Sequence, residues 1–516
     1  MPTRPLVAVA IMAVFAAASA AETAAPEPAE PRFPIRAFEI SGNTLLPADL
    51  ANASVEPFIG GERSFADIEQ ARLALQALYT QAGYGAVQVT VPEQEITGGV
   101  IRFKVIEARL ARIEIQDGRY HDRENILAAL PELREGRSPN TRDLARSLAL
   151  ANESMVKQTL VTLNTGSQIG EIDAKVAVKD DNPWHGFVSA ENNGSEDSGG
   201  DWRLSAGISH GNVFNRDQLV AVQAITSVEN PEDVQILGGY WKVPLPSLGD
   251  AIELSGSYAS VSGNITAAGG SMGYQAAGYA AGMRYVHNLE PFGDYKHNLS
   301  AGLDYRLVET EQNITPDYSL TPLSIAYGGS LLTPEAQTRF ALSYARNLGL
   351  AHLGNVRRIA ANGGQDKHYD VARASISHNL NFKSGWEVLL AANGQWTSEP
   401  LPGAEDFGIG GAASVRGFEE REIAGETGVR AGVEVTTPVV LKQERAALRL
   451  VGFADFAQIA DEVTGTDTAI ASAGLGARLR IADSALIKVD AAYVLDGGGV
   501  RDEDPGRIHA SLVWGF

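Results

Sequence analysis

The sequence predicts a β-rich protein, a 16-stranded antiparallel transmembrane β-barrel over residues 184–516 preceded by two small α+β domains. Three observations carry that prediction. Beyond Asp180 apolar and polar residues alternate with a period of two, in segments that often run to ten or more residues. A strand crossing an outer membrane needs about 9 to 11 residues, whereas strands of soluble sandwiches usually stop at about 5 or 6. The connections between these segments alternate in length, short turns on one side and long loops on the other. After the amino-terminal stretch no window approaches the roughly 18 consecutive apolar residues of a spanning helix, so a membrane crossing must rest on strands.

The elements follow in order. Arg4 precedes the apolar run Leu6 to Ala18 and the small residues Ala18-Ser19-Ala20, the pattern of a secretory signal peptide over residues 1–21. A membrane anchor would need a longer apolar run. Residues 22–32, rich in Pro and Ala, read as a linker. Residues 33–109 form the first α+β domain: a strand through Phe38 and Ile40, a short helix from Pro47 to Phe58, and a helix from Phe65 to Ala82. That second helix repeats Ile68, Ala71, Leu75 and Leu78 at helical spacing and ends at Gly83-Tyr84-Gly85. Strands Val87 to Val91 and Val100 to Ile106 complete the domain. Residues 110–180 repeat that order with a strand at Leu110 to Ile115, helices at Arg123 to Leu130 and Thr141 to Ser154, and strands at Gln158 to Leu163 and Glu171 to Val178.

About sixteen alternating segments follow, an even number as bacterial barrels require. In one, Trp202, Leu204, Ala206 and Ile208 oppose Arg203, Ser205, Gly207 and Ser209. In another, Leu475, Ala477, Leu479 and Ile481 oppose Gly474, Gly476, Arg478 and Arg480. Ile487, Val489 and Ala491 likewise oppose Lys488 and Asp490. One face suits outer-membrane lipid and the other a wet lumen lined by Arg203, Arg478, Arg480, Lys488 and Asp490. Short turns are read at Asn215-Arg216, Pro244 to Gly249, Glu290 to Asp294, Lys383 to Gly385 and Lys442 to Arg445. Long loops are read at Gly349 to Lys367, Pro402 to Thr427 and Asp496 to Gly506. The last segment sets Ile508, Ala510, Leu512, Trp514 and Phe516 on one face, and the aromatic end Trp514 and Phe516 is similar to the sorting signal of outer-membrane barrels.

Composition excludes several classes of function. There is no Cys, which removes disulfides, thiolate metal sites and Cys nucleophiles. A formal charge of -21 disfavours nucleic acid as a partner, because its phosphates would be repelled. Sequences for a serine hydrolase, a zincin or a P-loop are lacking. Gly408 to Ala413 echoes a dinucleotide loop without the strand-then-helix setting that such a loop needs. The nine His residues show no metal-ligand spacing, and His210 and His509 read as lumen or interface residues. No catalytic residue, cofactor or metal is predicted, although Ser, His and acidic side chains can meet across strands.

Phe38-Glu39-Ile40-Ser41-Gly42-Asn43-Thr44, Tyr79, Gly83-Tyr84 and Val91-Pro92-Glu93-Gln94 together resemble a polypeptide-transport-associated (POTRA) domain. Val415-Arg416-Gly417-Phe418, between the eleventh and twelfth barrel segments, is similar to the tetrad that the wider superfamily carries on its sixth extracellular loop. Phe453 and Asp455, on the thirteenth, match its F-x-D element. With these motifs in order, the chain resembles the outer-membrane transporters of two-partner secretion, the haemolysin secretion/activation proteins, over nearly all of its length. Alternation alone puts Arg449, Val451, Phe453 and Asp455 on the lumenal face, where Asp455 could balance Arg449, Arg478 or Arg480. The resemblance implies instead that it receives Arg416 from the folded-back loop, with Gly417 allowing a sharp turn and Phe418 packing beside the pair, as a gate or latch.

The resemblance further implies export of a secreted exoprotein, bound unfolded by the POTRA domains, without nucleotide, and insertion of the barrel by the barrel-assembly machinery. An assembly insertase of the same superfamily shares the barrel and the tetrad but typically has three or more POTRA domains. A passive porin has no use for either feature. Family members often carry a plug helix before the first POTRA domain, and residues 22–32 are too few for one that spans the barrel. The expected gate is therefore the loop around Arg416.

Overall fold

The described chain divides between Glu107 and Ala108 into two compact units. The computed structural model describes residues 31–516 apart from 117, 195–199, 261–262, 268–269, 275–276, 310–317, 351–367, 462–464 and 500–504. The signal peptide, most of the linker and most of the loop read at Gly349 to Lys367 therefore lie outside the described residues.

In the first unit, β1 (Ala37–Ser41), α1 (Ala48–Val55), α2 (Phe65–Gln81), β2 (Gln88–Thr90) and β3 (Val100–Ile106) follow one another. The central strand β3 runs parallel to β1 and antiparallel to β2. Ser64 starts α2 with a capping box: its hydroxyl accepts from the Asp67 N–H and the Asp67 carboxylate accepts from the Ser64 N–H at 2.8 Å, which satisfies two otherwise open donors. Ile68, Ala71, Leu75 and Tyr79 form the buried stripe of α2 in one core with Phe38, Ile101, Phe103 and Val105. The predicted strand through Val91 stops at Thr90, ahead of Pro92, which has no N–H to give the ladder. Gln94 takes over, donating to the Arg102 carbonyl at 2.9 Å and accepting from its N–H at 2.7 Å.

Tyr79 ties that core to the motif after β1. Its hydroxyl donates to Asn43 Oδ1 at 2.6 Å, and the same oxygen accepts from the Leu46 N–H at 3.1 Å. Burial, with Glu107 adding, pushes the Tyr79 hydroxyl up to about 12. A tyrosine that ionises later in the fold than in the open chain favours the fold fully below its open-chain value near 10, and that contribution is lost as pH rises from about 10 to about 12. Tyr79→Phe should remove this part of the alkaline sensitivity of the first unit and cost about 1 kcal/mol at neutral pH for the lost hydrogen bond. Urea melts at neutral and alkaline pH check both, and an unchanged alkaline slope would refute the assignment.

The second unit opens with the repeat of that order: β4 (Arg109–Gln116), α3 (Arg123–Ala129), α4 (Thr141–Ala151), β5 (Lys157–Thr165) and β6 (Glu171–Asp180). Here β6 is central, parallel to β4 and antiparallel to β5. Helix α4 ends short of the Ser154 that its periodicity predicts. Asn152 leaves the helix to bracket Thr159, accepting from its N–H at 2.7 Å and donating to its carbonyl at 2.9 Å.

Residues 184–516 form a closed barrel. Among the described residues its sixteen strands are β7 (Trp184–Glu191), β8 (Arg203–Val213), β9 (Gln218–Ser227), β10 (Gln235–Leu245), β11 (Asp250–Ala259), β12 (Ala277–Asn288), β13 (Tyr295–Glu309), β14 (Tyr318–Leu320 continued by Pro322–Leu332), β15 (Ala336–Asn347), β16 (Asp370–Asn381), β17 (Glu387–Trp396), β18 (Thr427–Thr436), β19 (Ala446–Asp461), β20 (Thr466–Ile481), β21 (Ala485–Asp496) and β22 (Gly506–Gly515). Neighbours are antiparallel throughout, and β22 closes on β7 from Ser511 opposite Glu191 to Gly515 opposite Phe187. Closure is what lipid demands, since an open edge there would leave backbone groups unsatisfied at several kcal/mol each.

The faces fall as alternation predicts. Leu204, Ile208, Leu475 and Leu512 are exposed on the outside, whereas Arg203, Asp455 and Asp490 are buried inside. Arg478 stands opposite Lys488 in the register, on the face of Asp490. His210 lies on the outer face with its ring 4.6 Å from that of Trp184, and His509 is buried.

Candidate functional site

The sixth long connection, residues 397–426 between β17 and β18, folds back into the barrel. Its lower part is a two-stranded hairpin pairing Phe407–Ile409 with Ile423–Gly425, and its tip carries the tetrad. Val415 and Phe418 are fully buried, in one cluster with Ile409, Ala457, Ile459 and Ile470. Apolar packing thus brings the tip to β19 and β20 and leaves Arg416 facing the polar wall.

Arg416 meets Asp455 through three hydrogen bonds. Its Nε donates to Oδ2 at 2.7 Å, one terminal nitrogen to Oδ1 at 3.0 Å, and its own backbone N–H to Oδ2 at 3.2 Å. The two side-chain bonds are the parallel fork for which a guanidinium is shaped. Its other terminal nitrogen donates to Glu434 at 2.9 Å and stands 3.7 Å from Asp490. Arg478 closes the cluster, donating to both Asp490 oxygens at 2.5 and 2.9 Å and lying 3.4 Å from Glu434. The Arg416 guanidinium also lies over the Phe453 ring, 3.4 Å from its centre, so Phe453 supplies an aromatic face as well as the spacing to Asp455.

Gly417 follows with φ +99°, a backbone that side chains other than glycine's rarely adopt. Its N–H donates to His509 Nε2 at 2.9 Å, which requires that nitrogen to be unprotonated. The tetrad is thereby fixed to four strands, β18 through Glu434, β19 through Asp455, β21 through Asp490 and β22 through His509. Arg449 and Arg480 are not part of it; Arg449 pairs with Glu387 at 2.6 Å. Glu434 and His509 were missed as partners by the sequence reading. Alternation along Val429, Ala431, Val433 and Val435 places Glu434 on the lumenal face, so that signal was present.

The carboxylates that converge here are already met by Arg416 and Arg478, and no grouping of His, Asp and Glu suited to a metal occurs among the described residues. The arrangement can hold a loop in place and release it.

Trp514 and Phe516 lie at the closing seam, with their rings 5.7 Å apart. The Phe516 backbone exchanges hydrogen bonds with Gly186, both at 2.9 Å.

A second polar junction joins the small domain to the barrel. Lys157, the first residue of β5 and only 2 % exposed, pairs with Asp217 on the turn between β8 and β9 and donates to Asn125 at 2.9 Å. Asn125 in turn donates to Asp217 at 2.9 Å and to Asn212 at 3.0 Å. Burial pushes the Lys157 ammonium below its usual value while Asp217 and Asp180 pull it back. Burial alone would raise the neighbouring Asp180 carboxyl. Backbone N–H groups of Arg119, Tyr120 and His121 and the His121 ring outweigh it and hold Asp180 below the ordinary carboxylate range.

Comparison with known proteins gives this geometry a context. The profile of the haemolysin secretion/activation protein family ShlB/FhaC/HecB matches residues 170–479, more than half of the chain, and that of the ShlB-type POTRA domain matches residues 33–108. The outer membrane transporter CdiB of Dickeya dadantii (strain 3937) is 23% identical over 428 residues, which cover 77% of this chain and 71% of the relative. The hemolysin transporter protein ShlB of Serratia marcescens is 24% identical, with 78% and 73% covered. Among solved structures, CdiB from Escherichia coli superposes with a TM-score of 0.73 at 18% identity, covering 96% of this chain and 92% of that one. BamA from Haemophilus ducreyi lacking POTRA domains 1–3 superposes with a TM-score of 0.51 at 13% identity, over 94% of this chain and 100% of that one; at such identities the likeness concerns the fold.

Proposed function

The chain belongs to the haemolysin secretion/activation protein family of outer-membrane transporters, with its barrel in the outer membrane and its POTRA domains in the periplasm, and from that premise we propose that it exports a large partner exoprotein, taken up unfolded by the POTRA domains and conducted through the lumen. The observation that carries this reading is the Arg416 loop, folded into the lumen and fastened to wall carboxylates. A passive pore needs no such fastening, whereas a protein channel must be closed between substrates.

The POTRA sheets offer a means of uptake. Strands β1 and β2 edge the first sheet, and β4 and β5 edge the second. An edge strand presents unpaired backbone groups to which an unfolded chain can add, and backbone pairing tolerates varied sequence. On β5 the exposed Gln158, Leu160 and Thr162 alternate with more buried neighbours, so the outward face is polar with one apolar contact. The lumen is wet and charged, and folding of the cargo outside the cell would give direction without nucleotide. Deleting this protein should leave its exoprotein in the periplasm. A loss limited to small-solute uptake would instead favour a porin.

Val415, Arg416, Gly417, Phe418, Phe453 and Asp455 act in this reading as the latch of the gate. Trp514 and Phe516 act as the signal read by the barrel-assembly machinery. Deleting Phe516 also removes its two seam bonds to Gly186. The expected result is a lower level of heat-modifiable barrel in outer-membrane fractions, with the export done per assembled molecule little changed. Wild-type levels of the truncated protein would refute the role.

A further inference from the structure

The loop that carries Arg416 is held at a second place, which the tetrad does not explain. Glu405 lies near its root and is only 4 % exposed. One carboxylate oxygen accepts from Arg306 of β13 at 2.6 Å and from the Tyr369 hydroxyl at 3.0 Å, and the other accepts from Arg373 of β16 at 2.7 Å. Two guanidiniums and a phenol on one buried carboxylate make a built socket, and it sits on strands other than those that hold Arg416.

Gln395 locks the same region. Its amide nitrogen donates to the backbone carbonyls of both Glu405 and Glu426, at 2.8 and 2.9 Å, and its oxygen accepts from Arg373 at 2.7 Å. Glu405 and Glu426 stand on the two legs of the loop, so one side chain clasps both. Leu401 and Ala404 bury the root against Val308, Leu320, Tyr369 and Val371.

Between root and tip the backbone changes character. Gly410 and Gly411 have φ of +102° and +99°, and on the returning leg Arg421 has φ +55°. Positive φ at both legs, just beyond the hairpin pairing of Phe407–Ile409 with Ile423–Gly425, marks where the chain can swing without breaking that pairing. The tip borders free space: a cavity of about 190 Å³ is lined by Ala412, Ser414, Arg416, Glu434 and Asp455 among others. A chain in the lumen could reach the Arg416 latch there, whereas the Glu405 socket is covered.

We propose that this loop gates in two parts: a root that Glu405 fastens permanently to β13 and β16, and a tip, residues 410–422, that alone swings on Gly410–Gly411 and Arg421 when the Arg416 latch opens. Glu405 is then a positioning residue that keeps the released tip inside the lumen and returns it to its latch. The proposal rests on the export reading above.

The absence of Cys allows a clean test in the full chain in cells. Ala404→Cys with Val308→Cys would be bridged by a short bis-maleimide to lock the root, and Val415→Cys with Ile470→Cys to lock the tip, each pair lying within one buried cluster. The root lock should leave export at the level of the unbridged variant, and the tip lock should abolish it. A root lock that abolishes export as the tip lock does would overturn the hinge while leaving the channel reading standing. Export that survives the tip lock would overturn both. Glu405→Gln provides a readout that a purely structural role would not move: purified, heat-modifiable protein should show raised resting conductance in planar bilayers with Arg416 and Asp455 intact, and unchanged conductance counts against the socket.

Discussion

Arg416→Ala is expected to cut export by at least about tenfold and to raise the resting conductance of the purified barrel, while the protein remains folded and heat-modifiable. Removing one partner of a buried pair costs about 3 to 5 kcal/mol, because the other charge is left buried and unmet. The loss here is compounded, since Asp455, Glu434 and Asp490 all face Arg416 and would keep only Arg478 among them. At about 1.4 kcal/mol for each tenfold, a loss of that size shifts the balance between docked and undocked tip by a factor on the order of 10² or more. On the export reading, a tip that cannot return to its latch would leak ions at rest and would no longer open and close in step with the cargo.

The substitutions at this site should not be equivalent. Asp455→Asn leaves Arg416 its bond to Glu434 at 2.9 Å, so its effect should be the milder. Arg416→Lys keeps the charge but has neither the fork for the two Asp455 oxygens nor the plane that lies over Phe453, and it should fall between the two. Export of the cargo into the medium and single-channel conductance check the order. Wild-type export by Arg416→Ala would remove the latch from the mechanism altogether.

The sequence made the barrel legible because lipid and lumen impose opposite demands on successive residues of every strand. That is how Leu475 and Arg478, or Phe456 and Asp455, could be assigned faces before any strand was paired. The tetrad and Asp455 were legible as motifs, and the same alternation that served Asp455 would have delivered Glu434. Glu405 was not legible, since a loop has no period and its partners Arg306, Tyr369 and Arg373 lie far away in the chain. Element ends were misread where side chains compete with the backbone: Asn152 ends α4 by bracketing Thr159, and Gln94 replaces the strand that Pro92 cuts short. Lys157 escaped notice for another reason. At the head of a strand a lysine is read as solvated, and its burial depends on Asp217, sixty positions on, in a turn that the fold carries to it.

That buried lysine carries the second large expectation. Lys157→Met keeps the length and packing of the side chain but takes the ammonium from Asp217, leaving it, among the described residues, the Asn125 amide as a side-chain donor and the His121 ring at 3.9 Å. The cost should again be about 3 to 5 kcal/mol, and it should fall on the junction rather than on the barrel, whose strand ladder is untouched. Hydrogen exchange should quicken in β5 and in the turn at 214–217, proteases should cut sooner between the second α+β repeat and β7, and, on the export reading, export should drop because the repeat would no longer be held in a fixed position against the barrel. Pairing Lys157→Met with Asp217→Asn should restore most of the protection. Asn tolerates the left-handed backbone at position 217, where φ is +55°, and it leaves no unmet charge. If the single variant exchanges and exports like the wild type, the buried ion pair does not hold the domain to the barrel. If the single variant fails and the double recovers, the junction is set by charge satisfaction and not by packing alone.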